Sequence, residues 1–300
     1  MRNWDDMRVF LAVARFESLS AAGKQIALDP ATIGRRIQRL EQGMGAVLFV
    51  KSPQGYQLTD AGLRLLEHAS AAEQAFLAAA DISRAGGDSL TGSIRIGAPD
   101  GCANFILPAV CGRIADENPG LEIQIVSLPR VFNLSKREAD MAIAVSLPTS
   151  GRLSVQKIVD YQLHLAAKQT YLAGASRLET LADLKNHRVI GYIPDMIFDS
   201  ELDYLTKIGI ERPGLASNSV SVQFNAINAG LGLGIMHDFA LPFAQNIQRV
   251  LTDQLSLNRS FYLIRHEDDR KMARFNRFAK RLVDLLREEV ENLEAKLVKI

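Results

Sequence analysis

The chain has 300 residues, of which 47% are hydrophobic and 23% charged, so it is long enough for two or three folded domains. Its 35 basic and 34 acidic side chains nearly cancel, which excludes a nucleic-acid partner held by overall charge and leaves that role to a local patch. No apolar run is long enough to span a membrane and the first residues lack an export pattern, so we expect a cytoplasmic protein without a membrane partner.

The first residues predict three helices in succession. Apolar side chains at helical spacing place the first helix over residues 5–16. The second helix begins behind an N-cap at Ser18 or Ser20. The third begins at Pro30, because Asp29 is a good N-cap and proline suits the first helical position.

The second and third helices, at about residues 19–38, have the build of a helix-turn-helix. Small residues at the packing positions of the second helix allow the third helix to approach it closely. The third helix carries Arg35, Arg36 and Arg39. Such a pair can offer its second helix to the major groove of DNA. The pattern from Val47 to Thr59, two apolar runs around a Pro/Gly turn, predicts a β-hairpin that would serve as a wing.

A long helix is predicted from Asp60 to about Arg84. Its apolar residues step by four and three, which is a heptad seam, so we expect two copies of this helix to pair and the chain to form a dimer or tetramer. Packing of the helix on its own domain is the alternative. The seam residues are Leu65, Ala69, Ala72, Phe76 and Ala79.

Beyond a glycine-rich linker at 86–89, strands and helices alternate, which predicts βαβ units and a mainly parallel sheet. The first cycle has strands near 93–98, 121–127 and 141–145 and a helix at 105–117, and the second runs from about residue 163 to 263. A strand at 261–265 is expected to cross back to the first cycle. The cysteines, Cys102 and Cys111, suit neither a zinc site nor a disulfide, so we expect two reduced thiols, no metal and no cofactor.

Several side chains of the helix pair and the wing have the chemistry of a DNA ligand. Arginine binds guanine edges or phosphates, threonine contacts bases, and a serine at a helix N-terminus can bind phosphate. The predicted DNA-binding residues are Ser20, Pro30, Ala31, Thr32, Ile33, Arg35, Arg36, Arg39, Lys51 and Gln54.

These motifs carry a family resemblance. The stretch from Met7 to Leu66 resembles the winged helix-turn-helix of LysR-type transcriptional regulators. The matching segments are FLAVARFESLSAAGKQIAL, DPATIGRRIQRLEQGMGAVLF and LTDAGLRLL, with weaker likeness in GSIRIGAP, LPAVCGRIADENPGLEIQIV, KREADMAIAV and INAGLGLGIMHDFA. Two residues depart from the pattern. Gly34 stands where the family usually has serine, and Gly23 replaces a better helix former, which is expected to cost about 1 kcal/mol relative to alanine.

The resemblance implies an α/β chain with an N-terminal winged helix-turn-helix (2–59), a linker and dimerisation helix (60–87) and an effector-binding domain (88–300). That domain would consist of two Rossmann-like lobes resembling periplasmic binding proteins, one at 88–161 with 265–300 and the other at 162–264. The implied partners are double-stranded DNA, a small-molecule effector, other copies of the chain and RNA polymerase. The implied function is transcription regulation without enzymatic activity.

Strand ends and the loops that follow them place polar residues near the expected cleft between the lobes, where α/β proteins bind ligands. Helix N-termini near Cys102 and Ser221 would favour an anionic group. The predicted effector-binding residues are Asp100, Gly101, Cys102, Asn104, Ser146, Pro194, Met196, Ser219, Ser221 and His237.

Two alternatives remain open at this point. One is a small-molecule-binding protein or enzyme whose N-terminal domain serves only assembly, although the scattered histidines form no catalytic constellation, and the GLGLG segment precedes a strand where a dinucleotide-binding loop would follow one. The other is a constitutive DNA-binding protein with an empty cleft.

Overall fold

The computed structural model describes residues 3–52, 55–82, 89–127, 139–148, 151–197, 199–267, 269 and 272–299. They divide into two compact units, one ending at residue 82 and one beginning at residue 89. The predicted boundary at 87/88 lies outside these residues. Within the same ranges, no helix combines the length and the apolar character needed to cross a bilayer.

The first unit consists of helices and one hairpin. Its elements are α1 (Trp4–Phe16), α2 (Leu19–Ile26), α3 (Pro30–Met44), β1 (Phe49–Ser52), β2 (Gly55–Leu58) and α4 (Asp60–Ile82). Ser18 caps α2, Asp29 caps α3 by accepting the backbone N–H of Thr32 at 2.9 Å, and Gly45 ends α3 with φ +65°. The predicted helix-turn-helix and wing are therefore present, with Ser20 in the first turn of α2 and not at its cap.

Gly23 lies where α2 and α3 approach most closely. A Cβ at this position would be 2.4 Å from the carbonyl oxygen of Leu28 and 3.3 Å from Cδ1 of Ile33. The prediction that Gly23 merely weakens α2 is wrong, because alanine would collide with backbone that closes the turn between the helices. Gly34 is different, since only Leu19 lies near its missing Cβ, at 3.8 Å.

The wing is attached to the helices through backbone groups. The N–H of Tyr56 in β2 donates to the carbonyl oxygen of Glu17, at the end of α1, at 2.8 Å. Gly55 has φ +129°, and a Cβ there would lie 2.2 Å from that same oxygen. At the other strand, Oε1 of Glu41 accepts the N–H of Leu48 at 2.7 Å. The hairpin is thus held by both α1 and α3.

The first half of α4 packs on its own unit. Leu65 and Ala69 are buried together with α1 residues, and Arg15 of α1 forms an ion pair with Glu73. For Leu65 and Ala69 the predicted pairing with a second chain is wrong, because the same periodicity serves the core of the unit. Ala72 and Phe76 are exposed, and the side chain of Ala79 lies outside the described part of the chain.

The second unit contains one mixed sheet flanked by helices. Its strands are β3 (Gly92–Ala98), β4 (Leu121–Ser127), β5 (Met141–Ala144), β6 (Leu153–Lys168), β7 (Val189–Gly191), β8 (Leu215–Ala216), β9 (Leu233–His237), β10 (Ile247–Arg249) and β11 (Leu257–His266). The α-helices are α5 (Asp100–Phe105), α6 (Leu107–Glu117), α7 (Gln169–Gly174), α8 (Val220–Asn228) and α9 (Ala273–Ala295). Short 3₁₀ helices occur at Leu181–Asn186, Pro194–Met196, Ser200–Leu202, Thr206–Ile208, Asp238–Phe243 and Lys296–Lys299.

The strand order is β4-β3-β5-β11-β6-β9-β7-β8, with β10 paired to β6. The first lobe is built on β3, β4 and β5, which are parallel, and the second on β7, β8 and β9, also parallel. The long strands β6 and β11 join the lobes and pair antiparallel with each other and with β9 and β5 respectively. The expectation of a mainly parallel sheet is therefore wrong for the strands that connect the lobes, while the crossover strand predicted at 261–265 lies in β11.

A short helix precedes the one predicted at 105–117. Helix α5 begins at Asp100, and Ile106 separates it from α6. Cys102 and Cys111 lie on these helices and are buried free thiols of the core. Burial raises the pKa of Cys102 well above its usual range and that of Cys111 to about 12, so both thiols stay protonated at neutral pH.

Candidate nucleic-acid interface and interlobe cleft

One face of α3 is exposed while the other packs inside the first unit. Ile33, Ile37 and Leu40 are buried, which leaves the arginines on the opposite face. The inclusion of Ile33 among the DNA-binding residues is wrong, since its side chain is 0% exposed and lies in the core of the unit. Pro30 and Ala31 are exposed at the start of the helix, and Thr32 is partly exposed.

The three arginines of α3 differ in their partners. Nη2 of Arg35 donates to Oγ1 of Thr32 at 3.0 Å on the exposed face. Arg36 lies 3.9 Å from an exposed carboxylate oxygen of Asp5, which is a loose contact. Arg39 donates from two nitrogens to Asp6, a buried carboxylate of α1. Arg39 therefore links α3 to α1, whereas Arg35 forms no ion pair with a carboxylate among the described residues.

The remaining predicted DNA-binding residues lie around this face. Ser20 is exposed in the first turn of α2, and Lys51 is exposed on β1 of the wing. Gln54 lies outside the described residues. Their contact with DNA stays a prediction.

In the second unit, a cleft open to solvent lies between the two lobes, with about 420 Å³ of empty space that includes solvent outside the protein. Residues of both lobes and of the connecting strands line it: Pro99, Asp100, Gly101, Cys102, Val145, Tyr161, Tyr192, Leu202, Asn218, Val220, His237 and Phe261. Four of the ten predicted effector-binding residues are in this lining.

Asp100 forms the main polar link across the cleft. Its Oδ2 accepts hydrogen bonds from the backbone N–H of Ser221 at 2.9 Å and from the hydroxyls of Ser219 and Ser221 at 3.1 and 3.2 Å. Asn104 donates to Oδ1 at 3.1 Å. A carboxylate of the first lobe thus occupies the N-terminus of α8 in the second, where the helix dipole favours negative charge.

A second polar contact joins the lobes nearby. The hydroxyl of Ser146, which follows β5, donates to Asp199 of the second lobe. Pro194 and Met196 are exposed on the 3₁₀ helix they form and are absent from the lining of this cleft, while Pro194 lines a neighbouring pocket of the second lobe, so their role in effector binding stays a prediction.

His237 lies in the wall of the cleft and lacks a partner at one ring nitrogen. The residue is 6% exposed, and its Nδ1 is buried without a hydrogen bond. Burial lowers the pKa of His237 to about 4, although the charge of Asp100 acts in the opposite direction. The imidazole is therefore uncharged at neutral pH.

Aromatic residues that the sequence did not single out complete the wall. The rings of Tyr161 and Phe261 are stacked with centroids 4.2 Å apart, and Tyr161 also lies 5.6 Å from the ring of His237. Both Tyr161 and Phe261 lie within the long connecting strands, where the apolar pattern gives no hint of a ligand site. Tyr192, which directly follows β7, could have been found by the strand-end rule.

Two family models match the chain. Residues 4–63 match the model "Bacterial regulatory helix-turn-helix protein, lysR family". Residues 87–287 match the model "LysR substrate binding domain". The chain belongs to the LysR family of transcriptional regulators. The regulator therefore combines a DNA-binding helix-turn-helix domain with a two-lobed effector-binding domain.

Individual relatives agree with this assignment. A probable hydrogen peroxide-inducible genes activator of Mycobacterium avium is 28% identical over 81% of the regulator and 80% of its own length. The regulator DgdR of Burkholderia cepacia is 34% identical over 49% of this chain and 50% of its own. Among solved structures, a full-length OxyR variant of Pseudomonas aeruginosa superposes with a TM-score of 0.72 at 15% identity, covering 96% of this chain and 98% of that one. At that identity the likeness concerns the fold.

Proposed function

We propose that the exposed face of α3 enters the major groove of DNA and that Arg35 is its principal base-reading side chain. The observation that carries this proposal is the contrast between two arginines of one helix. Arg39 is bound by the buried carboxylate of Asp6, whereas Arg35 is exposed and oriented by Thr32 alone. A guanidinium without a carboxylate partner can form the bidentate contact that recognises guanine.

Replacing Arg35 by alanine is expected to weaken specific binding by about 10- to 100-fold, the usual contribution of one bidentate arginine–guanine contact. Duplexes selected from a random library by the full-length regulator would serve as probes, with affinity measured over a range of salt concentrations. Arg177, an exposed arginine of the second unit paired with Glu179, provides the control as Arg177→Ala. Unchanged affinity and an unchanged salt dependence of Arg35→Ala would contradict the proposal.

We also propose that the exposed part of α4 mediates dimerisation. Phe76 is 64% exposed although it is aromatic, and its ring stacks on Trp4 of α1 with centroids 6.1 Å apart. The two rings form an exposed apolar patch on the first unit. Burial of such a patch between two copies would remove it from water and would set two α3 helices at a fixed distance for successive major grooves.

The role of Phe76 in dimerisation can be tested by comparison with another exposed apolar residue of the same unit. Phe76→Ser is expected to raise the dimer dissociation constant by about tenfold or more, as truncation of an aromatic interface residue usually does. Val47 is 62% exposed in the same unit but lies outside α4, so Val47→Ser should leave association unchanged. Sedimentation equilibrium of both variants gives the comparison, and equal dissociation constants would argue against the α4 interface.

The interlobe cleft is the site where we propose that a small-molecule effector binds and changes how the oligomer engages DNA. Support comes from the cross-lobe hydrogen bonds of Asp100, since a ligand that alters them changes the angle between the lobes. A cytoplasmic location and contact with RNA polymerase accompany this role. We propose no catalytic activity.

A thiol-based response to peroxide is a second candidate, suggested by the name of the Mycobacterium avium relative. The cysteines argue against it here. Cys102 and Cys111 are the only two in the chain, both are buried, and burial raises the pKa of each. Peroxide reacts with accessible thiolates, so a diffusible effector in the cleft is favoured over oxidation.

A further inference from the structure

Among the described residues that line the cleft, Asp100 is the one side chain that is charged at neutral pH, because burial lowers the pKa of His237 to about 4. Asp199 of the second lobe, which accepts a hydrogen bond from Ser146, adds a second carboxylate at the contact between the lobes. Arg259 on β11 supplies no free positive charge there, because its Nε lies 2.8 Å from a carboxylate oxygen of Glu201 and its guanidinium stacks on the ring of Tyr204.

The groups that would bind an anion are already occupied. The N-terminus of α8 and the hydroxyls of Ser219 and Ser221 all donate to Asp100. An anionic ligand could take these donors only by displacing Asp100, and would leave that carboxylate beside a second negative charge. At the N-terminus of α8, this arrangement disfavours a carboxylate or phosphate ligand and argues against the anionic effector expected from the helix dipole.

One lining group without a partner can accept a hydrogen bond. Nδ1 of His237 is buried and unpaired, the imidazole carries no positive charge at neutral pH, and in the tautomer with its proton on Nε2 the Nδ1 atom is an acceptor. Gly101, the residue after Asp100, lies near this ring, since a Cβ on Gly101 would be 3.5 Å from Cε1 of His237. The stacked rings of Tyr161 and Phe261 add π faces to the same wall, and such faces attract cations.

We propose that the cleft binds a small primary amine in its protonated form, whose ammonium group takes the place of serine hydroxyl donors at the carboxylate of Asp100 and donates to the unpaired nitrogen of His237. The apolar body of the ligand lies against Tyr161 and Phe261. The inference rests on the proposed role of the cleft as the effector site, and it names the chemical class of that effector.

Two sets of isosteric probes separate charge from shape. Benzylamine, benzyl alcohol and benzoate form one set, and butylamine, butanol and butyrate the other, each measured by calorimetry with the full-length regulator at neutral pH. In at least one set the amine is expected to bind saturably and at least about tenfold more tightly than its alcohol and its acid, as a charge-assisted hydrogen bond to a carboxylate requires. An acid that binds as tightly as its amine, or failure of both amines to bind at millimolar concentration, overturns the inference.

Two variants test whether the charge of Asp100 makes the cleft prefer the amine to the alcohol. Asp100→Asn, checked by circular dichroism for folding, should lose the preference for the amine over the alcohol. Asp195 is an exposed acid of the second lobe outside the cleft lining, so Asp195→Asn should retain it. A preference that survives in Asp100→Asn overturns the inference.

DNA binding is measured separately with and without the amine. Amine binding that leaves the DNA complex unchanged supports the ligand class and contradicts the effector role of the cleft. Normal DNA binding with no discrimination among the probes contradicts the ligand class alone.

Discussion

Replacing Asp238 by asparagine is expected to lower the free energy of unfolding of the second unit by about 3 kcal/mol, the usual cost of breaking a buried ion pair. Asp238 is 2% exposed. Its carboxylate lies 2.9 Å from Nδ1 of His164 and 2.9 Å from Nη1 of Arg249. These contacts join β6, β10 and the 3₁₀ helix at Asp238–Phe243 at one buried point. Asparagine removes the negative charge while both basic side chains remain.

The measurement can isolate the affected unit. Trp4 is the only tryptophan of the chain and lies in the first unit, so tryptophan fluorescence reports that unit and circular dichroism reports both. Asp284 pairs with Lys280 on the exposed surface of α9, and Asp284→Asn should cost less than about 0.5 kcal/mol. Urea titrations should show a large change for Asp238→Asn in circular dichroism and an unchanged tryptophan transition. Equal costs for the two asparagine variants would contradict the expectation.

Gly23→Ala is expected to destabilise the first unit by about 2 kcal/mol, although alanine is the better helix former. The new methyl group would meet the carbonyl oxygen of Leu28 at 2.4 Å, and backbone must move to relieve that contact. The shift would alter the angle between α2 and α3 and should also weaken DNA binding.

Gly43 provides the matched control in the neighbouring helix. It is a glycine near the C-terminal end of α3 with no atom within 4 Å of its missing Cβ. Gly43→Ala should therefore stabilise the unit by about 0.5–1 kcal/mol through helix propensity. In the urea titration followed by tryptophan fluorescence, a loss of stability for Gly23→Ala and a gain for Gly43→Ala would confirm that packing, and not helix propensity, determines the effect at Gly23. A gain in stability from Gly23→Ala would refute this.

The helices of the first unit could be predicted because their signals are local. Asp29 and Pro30 fix the start of α3, and Ile33 and Ile37 fix its buried face. The partner of α4 could not be predicted in the same way. Leu65 and Ala69 have the spacing of a dimer seam, yet a helix uses that spacing equally for its own core.

The second unit was harder to predict because its arrangement depends on distant contacts. The second cycle is predicted to begin only at about residue 163, since charged residues such as Lys157 and Asp160 lie in the first half of β6 and hide its strand character. The direction of β6 and β11 is set by long connections, which leave no local pattern. For the cleft, Asp100 was found at a strand end, but Tyr161 and Phe261 reach the cleft only through the path of these connecting strands.

The way the wing is attached affects how the DNA preference of this regulator can change by mutation. The hydrogen bond from Tyr56 to Glu17 uses main-chain atoms, so its geometry does not depend on which side chains the hairpin carries. Gly55 is constrained by its φ of +129° and the nearby oxygen, and Phe49, Tyr56 and Leu58 by their packing on the core of the unit. Exposed positions such as Val50, Lys51 and Gln57 can therefore mutate freely without displacing the hairpin. Descendants of this sequence could evolve new preferences for the DNA flanking the operator while the spacing between wing and α3 is inherited unchanged.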